Sequence, residues 1–140
     1  MQVNPYLNFD GNCREAFAFY AEVLQTDILM MLPFRSTPMA EQAPPEMHDL
    51  IAHAQLRIGD NVLMASDAPG NYTHPQGMNV TLGIAAPEEA ERAFHALAEQ
   101  GTVQMPLTET FWAHRFGMLV DRFGTPWMIN CEKPRDTWAP

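Results

Sequence analysis

Residues 3–9 alternate, with Val3, Pro5, Leu7 and Phe9 on one side and Asn4, Tyr6 and Asn8 on the other, which is the period of a half-buried strand. Asn12 then opens a helix on which Cys13, Ala16, Phe17, Tyr20 and Leu24 recur at helical spacing. The Asn12 side chain is expected to cap the free amides, with Glu15 three residues on as in a capping box. A strand-like run over 27–34 follows. Strands over 50–58 and 62–67 flank Gly59, Asp60 and Asn61 and read as a hairpin.

The order then starts again. Residues 78–85 read as a strand. Pro87 stands at the first position of a helix, Glu88 and Glu89 favour its N-terminus, and Ala90, Ala93, Phe94 and Leu97 face the core. Gly101 stops that helix. A strand over 102–107 leads to a final hairpin over 115–131, turning at Asp121, Arg122, Phe123 and Gly124. At such a turn Asp is favoured for local backbone hydrogen bonds.

Two stretches lack regular patterning. Pro69, Gly70, Asn71 and the polar residues up to Gly77 read as a linker between halves. Residues 35–49, broken by Pro38, Pro44 and Pro45, read as a long loop, either a lid or contact segment or a surface loop without a role. Strand-helix-strand-strand-strand therefore occurs twice. The fold class predicted is α+β, with a first module over 1–70, a second over 71–135 and a loose tail over 136–140.

Composition narrows the partners. A chain of 140 residues with 46% apolar residues is one domain's worth and can build a real core. A formal net charge of −9 repels phosphate backbones and anionic headgroups, so neither nucleic acid nor a membrane surface is expected as a partner. No run approaches the roughly 18 apolar residues of a spanning helix, and no signal-like segment opens the chain, so a cytoplasmic location is expected. Cys13 and Cys131 have no CxxC spacing and read as reduced, structural thiols. A reactive Cys13 is the alternative, since a helix N-terminus lowers a thiol pKa.

The element order, together with PYLNFDGNCREAFAFYAEVL at 5–24, HAQLRIGDNVLMASD at 53–67 and FWAHRFGMLVDRFGTPWMIN at 111–130, resembles the PhnB-like branch of the glyoxalase/bleomycin-resistance/extradiol dioxygenase (vicinal oxygen chelate) superfamily. The resemblance covers nearly the whole chain. It implies a glyoxalase/bleomycin-resistance-like fold of two βαβββ modules whose curved mixed sheets form a cup, usually completed by a homodimer. Some members carry a methyltransferase name. No GxGxxG-like segment follows any predicted strand here, so the residues give S-adenosylmethionine chemistry no support and no cofactor is expected.

Catalytic members of the superfamily hold a divalent metal with His and Glu on the first and last strand of each module. Carried over, those four positions fall near Asn4, Met64, Asn79 and Met128. Amides and thioethers cannot neutralise a dication as His and carboxylates do, so no metal ligand is assigned and metal-dependent lyase or dioxygenase chemistry is doubtful. Alternation buries Trp127 and Ile129 under the helices and leaves Met128 and Asn130 toward the cup. The cup is then lined by Asn4, Tyr6, His53, Gln55, Met64, Asn79, Thr81, Met128 and Asn130, with Trp112 at its rim. That lining suits a small, partly polar organic ligand.

Each residue also has a structural reading. His53 is a hydrogen-bonded strand histidine or an acid/base, and His114 packs at a junction or takes part in chemistry. Those two are the catalytic candidates. His48, His74 and His95 read as solvated, Met64 and Met128 read as ligand contacts or core filler, and Glu109 is the carboxylate nearest the cup. Three functions remain open. The first is a metal-independent homodimer that binds a small molecule. The second is an enzyme, with an unconventional metal site or with His53 as a general base on an enolisable substrate. The third is a non-catalytic dimeric scaffold.

Overall fold

The structure is a computed structural model that describes residues 1–139. It divides into two compact units, the first over Met1–Thr73 and the second from His74 onward. Each unit is built as a strand, a helix and three further strands around its own sheet.

In the first unit β1 (Tyr6–Phe9) leads to α1 (Cys13–Leu24), β2 (Ile28–Pro33), β3 (Ile51–Ile58) and β4 (Asn61–Asp67). The sheet order is β1-β4-β3-β2, with β1 parallel to β4 and the other neighbours antiparallel. One face is covered by α1. Cys13, Ala16, Phe17, Tyr20 and Val23 are buried there against Phe9, Ala54, Leu56, Leu63 and Ala65. The Phe17 ring meets Phe9 edge-on at 6.3 Å, which anchors the helix across the strands.

Three details depart from the sequence reading. The first strand begins at Tyr6 rather than residue 3, and Val3 is exposed, because no core lies beneath it and Pro5 has no N–H to donate. Asn12 makes no side-chain cap; the first amide of α1, that of Cys13, is taken instead by Asp67 of β4 at 3.0 Å. The 35–49 segment is not irregular throughout. It winds three single 3-10 turns, Phe34–Ser36, Pro38–Glu41 and Pro45–Met47, two of which use proline as a first residue rather than being broken by it. His48 is half-buried in this segment and not simply solvated, its Nε2 lying 3.0 Å from the Ala40 carbonyl and 3.1 Å from that of Ala43.

The second unit repeats the plan with β5 (Val80–Gly83), α2 (Pro87–Ala98), β6 (Thr102–Thr108), β7 (Ala113–Val120) and β8 (Pro126–Glu132), in the order β5-β8-β7-β6. Ala90, Ala93, Phe94 and Leu97 are the buried face of α2, as their spacing predicts. Beneath them lie Leu82, Leu119, Trp127, Ile129 and Cys131. Two close approaches fix glycine. A Cβ on Gly101 lies 2.4 Å from the Val120 carbonyl, and one on Gly117 lies 2.7 Å from the Phe94 ring. A short 3-10 turn at Arg135–Thr137 orders part of the tail, whose last residue, Pro140, lies outside the described residues. Among the described residues no helix is long and apolar enough to cross a membrane.

Candidate functional site

Because each sheet is covered by its helix on one side, the chemistry a ligand can reach is on the other. In the first sheet the register of β1, β4, β3 and β2 places Tyr6, Met64, Gln55 and Met30 in one row. Adjacent to it, Asn8 pairs with Ser66, and His53 pairs with Leu32. These side chains are half-buried or exposed, while their neighbours Ala54, Leu56, Leu63 and Ala65 are fully withdrawn under α1.

Three polar groups on this open face are joined. Tyr6 Oη and His53 Nδ1 lie 3.1 Å apart, and His53 Nε2 lies 3.1 Å from Gln55 Nε2. The Tyr6 and His53 rings stack at 5.6 Å with 27° between their planes. The structure thus brings together Tyr6, His53, Gln55 and Met64. Asn4 stands apart from them, ahead of β1, where its amide donates to the Val62 carbonyl at 3.1 Å and extends the seam between β1 and β4.

In the second sheet Thr81, Met128, Met118 and Met105 form the corresponding row, and Gly83, Asn130, Phe116 and Thr108 the next. Trp112 donates its indole N–H to Asn130 Oδ1 at 3.1 Å and meets Phe116 edge-on at 5.1 Å. Phe111, exposed, packs on Trp112 at 4.9 Å. Thr81, Met128, Asn130 and Trp112 therefore share this face. Asn79 precedes β5, outside its paired residues, and is exposed.

Phe116, Met118 and Met30 belong with these rows and escaped the sequence reading. The signal was present for β7, where His114, Phe116 and Met118 alternate with Arg115, Gly117 and Leu119. The same alternation puts Arg115 on the α2 side, where it pairs with Glu91 at 2.8 Å. Glu109 does not serve the face. It is exposed and paired with Lys133 at 2.9 Å, and that ammonium holds its carboxyl below the usual carboxylate range. His114 is half-buried on β7.

Cys13 is not a reactive thiol. It is wholly buried, and burial first, then the nearby Asp67 charge, push its pKa up to about 12, outweighing the opposing charge of Arg14. Cys131, also buried, has its thiol pKa raised by burial and lies 3.4 Å from the Ala85 carbonyl.

The side chains at the four positions carried over from the superfamily's metal pattern do not suit a dication. Asn4 spends its amide on backbone, Asn79 lies outside the strand, and Met64 and Met128 pair in register with Tyr6 and Thr81 rather than with a His or carboxylate. Among the described residues no three His, Cys, Asp or Glu side chains gather into a set able to hold a metal. S-adenosylmethionine fares no better. The turn from β1 to α1 contains one glycine, Gly11, whose added Cβ meets only a Leu50 methyl at 3.8 Å, so no close backbone approach to a cofactor is built there.

Comparison with known proteins bears on the whole chain. The family described as 3-demethylubiquinone-9 3-methyltransferase matches residues 1–130. YjdN of Escherichia coli K12 is 40% identical over 146 aligned positions, covering 98% of this chain and 99% of that protein. The crystal structure of PA1353 from Pseudomonas aeruginosa is 48% identical, covers 96% of this chain and 99% of its own, and superposes with a TM-score of 0.85. The PhnB protein of Bacillus cereus is 25% identical with a TM-score of 0.77, covering 93% of this chain and 98% of its own.

Proposed function

The chain belongs to the 3-demethylubiquinone-9 3-methyltransferase family, in the PhnB-like branch of the vicinal oxygen chelate superfamily, and on that premise we propose that it binds a small organic molecule without a metal. The observation that carries this reading is the composition of the two open sheet faces. Each sets adaptable thioethers beside a few placed polar groups: Met64 and Met30 beside Tyr6, His53 and Gln55, and Met128 and Met118 beside Thr81 and Asn130. Thioethers mould to apolar surface, the Trp112 and Phe116 rings offer faces and edges to planar groups, and the amides and hydroxyls fix orientation.

Affinity then comes mainly from apolar burial, about 25 cal/mol per Å². Methyl transfer is not assigned, because the chain has no glycine-rich phosphate or cofactor turn after a strand. The working form is a homodimer in the cytoplasm, consistent with the uncovered apolar residues on β2.

A thermal-shift screen with planar organic acids, amides and quinones tests the reading. Wild-type protein gains several degrees with at least one class, and Met64→Glu, which places a charge in the row, loses that gain while retaining its own transition. A Met64→Glu protein that keeps the full ligand shift overturns the assignment of the face. Elemental analysis of tag-free protein tests the metal-free claim; a stoichiometric divalent ion overturns it.

A further inference from the structure

We propose that Tyr6 presents its hydroxyl proton outward as a hydrogen-bond donor, so that the open face of the first sheet selects ligands carrying a carbonyl or phenolate-type oxygen. This deepens the reading of that face as ligand-binding and rests on it.

The argument is one of donor counting. A neutral imidazole has one N–H and one lone pair. Gln55 Nε2 carries only donors and lies 3.1 Å from His53 Nε2, so Nε2 supplies the lone pair and the ring proton is on Nδ1. Nδ1–H then donates to Tyr6 Oη, 3.1 Å away. Having accepted that bond, the hydroxyl keeps its own proton, and among the described residues no other group of the chain is bonded to it. Tyr6 is 46% exposed, so an acceptor can reach the proton from outside.

Two consequences follow for chemistry. Both His53 nitrogens are engaged, so His53 has no free lone pair for abstracting a proton; it is a positioning residue that aims Tyr6, not the general base of an enolisation. The donor also sits beside stacked rings and the Met64 thioether, which favours an oxygen attached to a planar or apolar body over a hydrated inorganic anion.

Nitrogen-15 NMR of labelled protein reads the His53 tautomer directly. A proton on Nδ1 is expected, and a neutral ring protonated at Nε2 overturns the proposal. The ligand arm uses 4-nitrophenol, whose phenol and phenolate absorb differently. Wild-type protein is expected to bind it and enrich the phenolate, and Tyr6→Phe to weaken binding about tenfold and abolish the enrichment. His53→Ala is expected to reduce the enrichment while the thermal transition stays in place. If wild type and Tyr6→Phe bind alike and Met64→Glu binds neither form, the face binds ligands and the Tyr6 assignment alone falls. If wild type binds no 4-nitrophenol, the assigned selectivity for phenolate oxygen is overturned, whatever the thermal-shift screen returns for other ligands.

Discussion

The carboxylate of Asp67, at the end of β4, accepts the backbone N–H of Cys13 at 3.0 Å through one oxygen, and that of Ile51 at 2.8 Å through the other. A single side chain thus caps α1 and ties the start of β3 to the same point. Asp67 is only 5% exposed, so removing it leaves two buried donors without their acceptor. Asp67→Ala is expected to cost about 2–5 kcal/mol, and Asp67→Asn less, because the amide keeps one acceptor. Urea unfolding midpoints check this; an Asp67→Ala midpoint within error of wild type refutes it.

Asp121 shows why one such anchor was legible in the sequence and the other was not. Its carboxylate takes the N–H groups of Phe123 at 2.8 Å and Thr125 at 3.0 Å, and the Trp127 indole at 2.8 Å. Those partners lie within six residues in a hairpin turn, where Asp predicts local bonding. Asp67 reaches 54 residues back, and no periodicity carries that information; Asn12 stood at the expected cap position and distracted from it. The same contrast holds on the sheet faces. Parity within β4 and β8 placed Met64, Met128 and Asn130 correctly relative to the core. Asn4 and Asn79 stood inside the strands read over 3–9 and 78–85, but the paired strands begin only at Tyr6 and Val80, and ahead of them parity loses its meaning. The pairing of His53 with Tyr6 needed the order β1-β4-β3, which adjacent hydrophobic patterns do not encode.

Gly101 and Gly83 form a matched pair of probes in the second unit. A Cβ at Gly101 meets backbone at 2.4 Å on the Val120 carbonyl and at 3.0 Å on Asp121 Cα, neither of which can swing aside. At Gly83 an added Cβ has nothing within 4 Å. Gly101→Ala is expected to destabilise by about 1–3 kcal/mol, the usual cost of overpacking. Gly83→Ala is expected to leave the thermal midpoint close to wild type. Equal midpoints for the two variants refute the steric argument.

Burial of Cys13 makes a directional claim about pH. The folded thiol, pushed up to about 12, holds its proton where the unfolded thiol, near the ordinary value of about 8.5, has lost it. The folded state therefore binds more protons across that interval. The Cys13 contribution is fully present below about 8.5 and is lost as pH rises from there toward 12. Unfolding free energies between pH 7 and 10 are expected to fall more steeply for wild type than for Cys13→Ala. In the native state at pH 8, iodoacetamide should leave Cys13 unmodified, and mass spectrometry should find it alkylated only after denaturant is added.

At the edge of the first sheet, Ile28, Leu29 and Met30 are 37%, 42% and 41% exposed, three successive apolar residues on a strand that pairs, among the described residues, only with β3. The register shifts between Ile28 and Met30, so Ile28 pairs with buried Leu56 on the α1 side and Met30 with Gln55 on the open side; neither side of this strand is fully covered, and among the described residues no strand meets its outer N–H and C=O groups. Natural sheets blunt such edges with charge or proline, and here a proline comes only at the end, at Pro33. The proposed homodimer removes this liability if β2 lies in its interface. Light scattering coupled to size exclusion is expected to give twice the chain mass for wild type, and the single-chain mass for Leu29→Lys with its circular dichroism unchanged. A wild-type monomer across the micromolar range refutes the dimer. A Leu29→Lys protein that stays dimeric moves the interface away from β2.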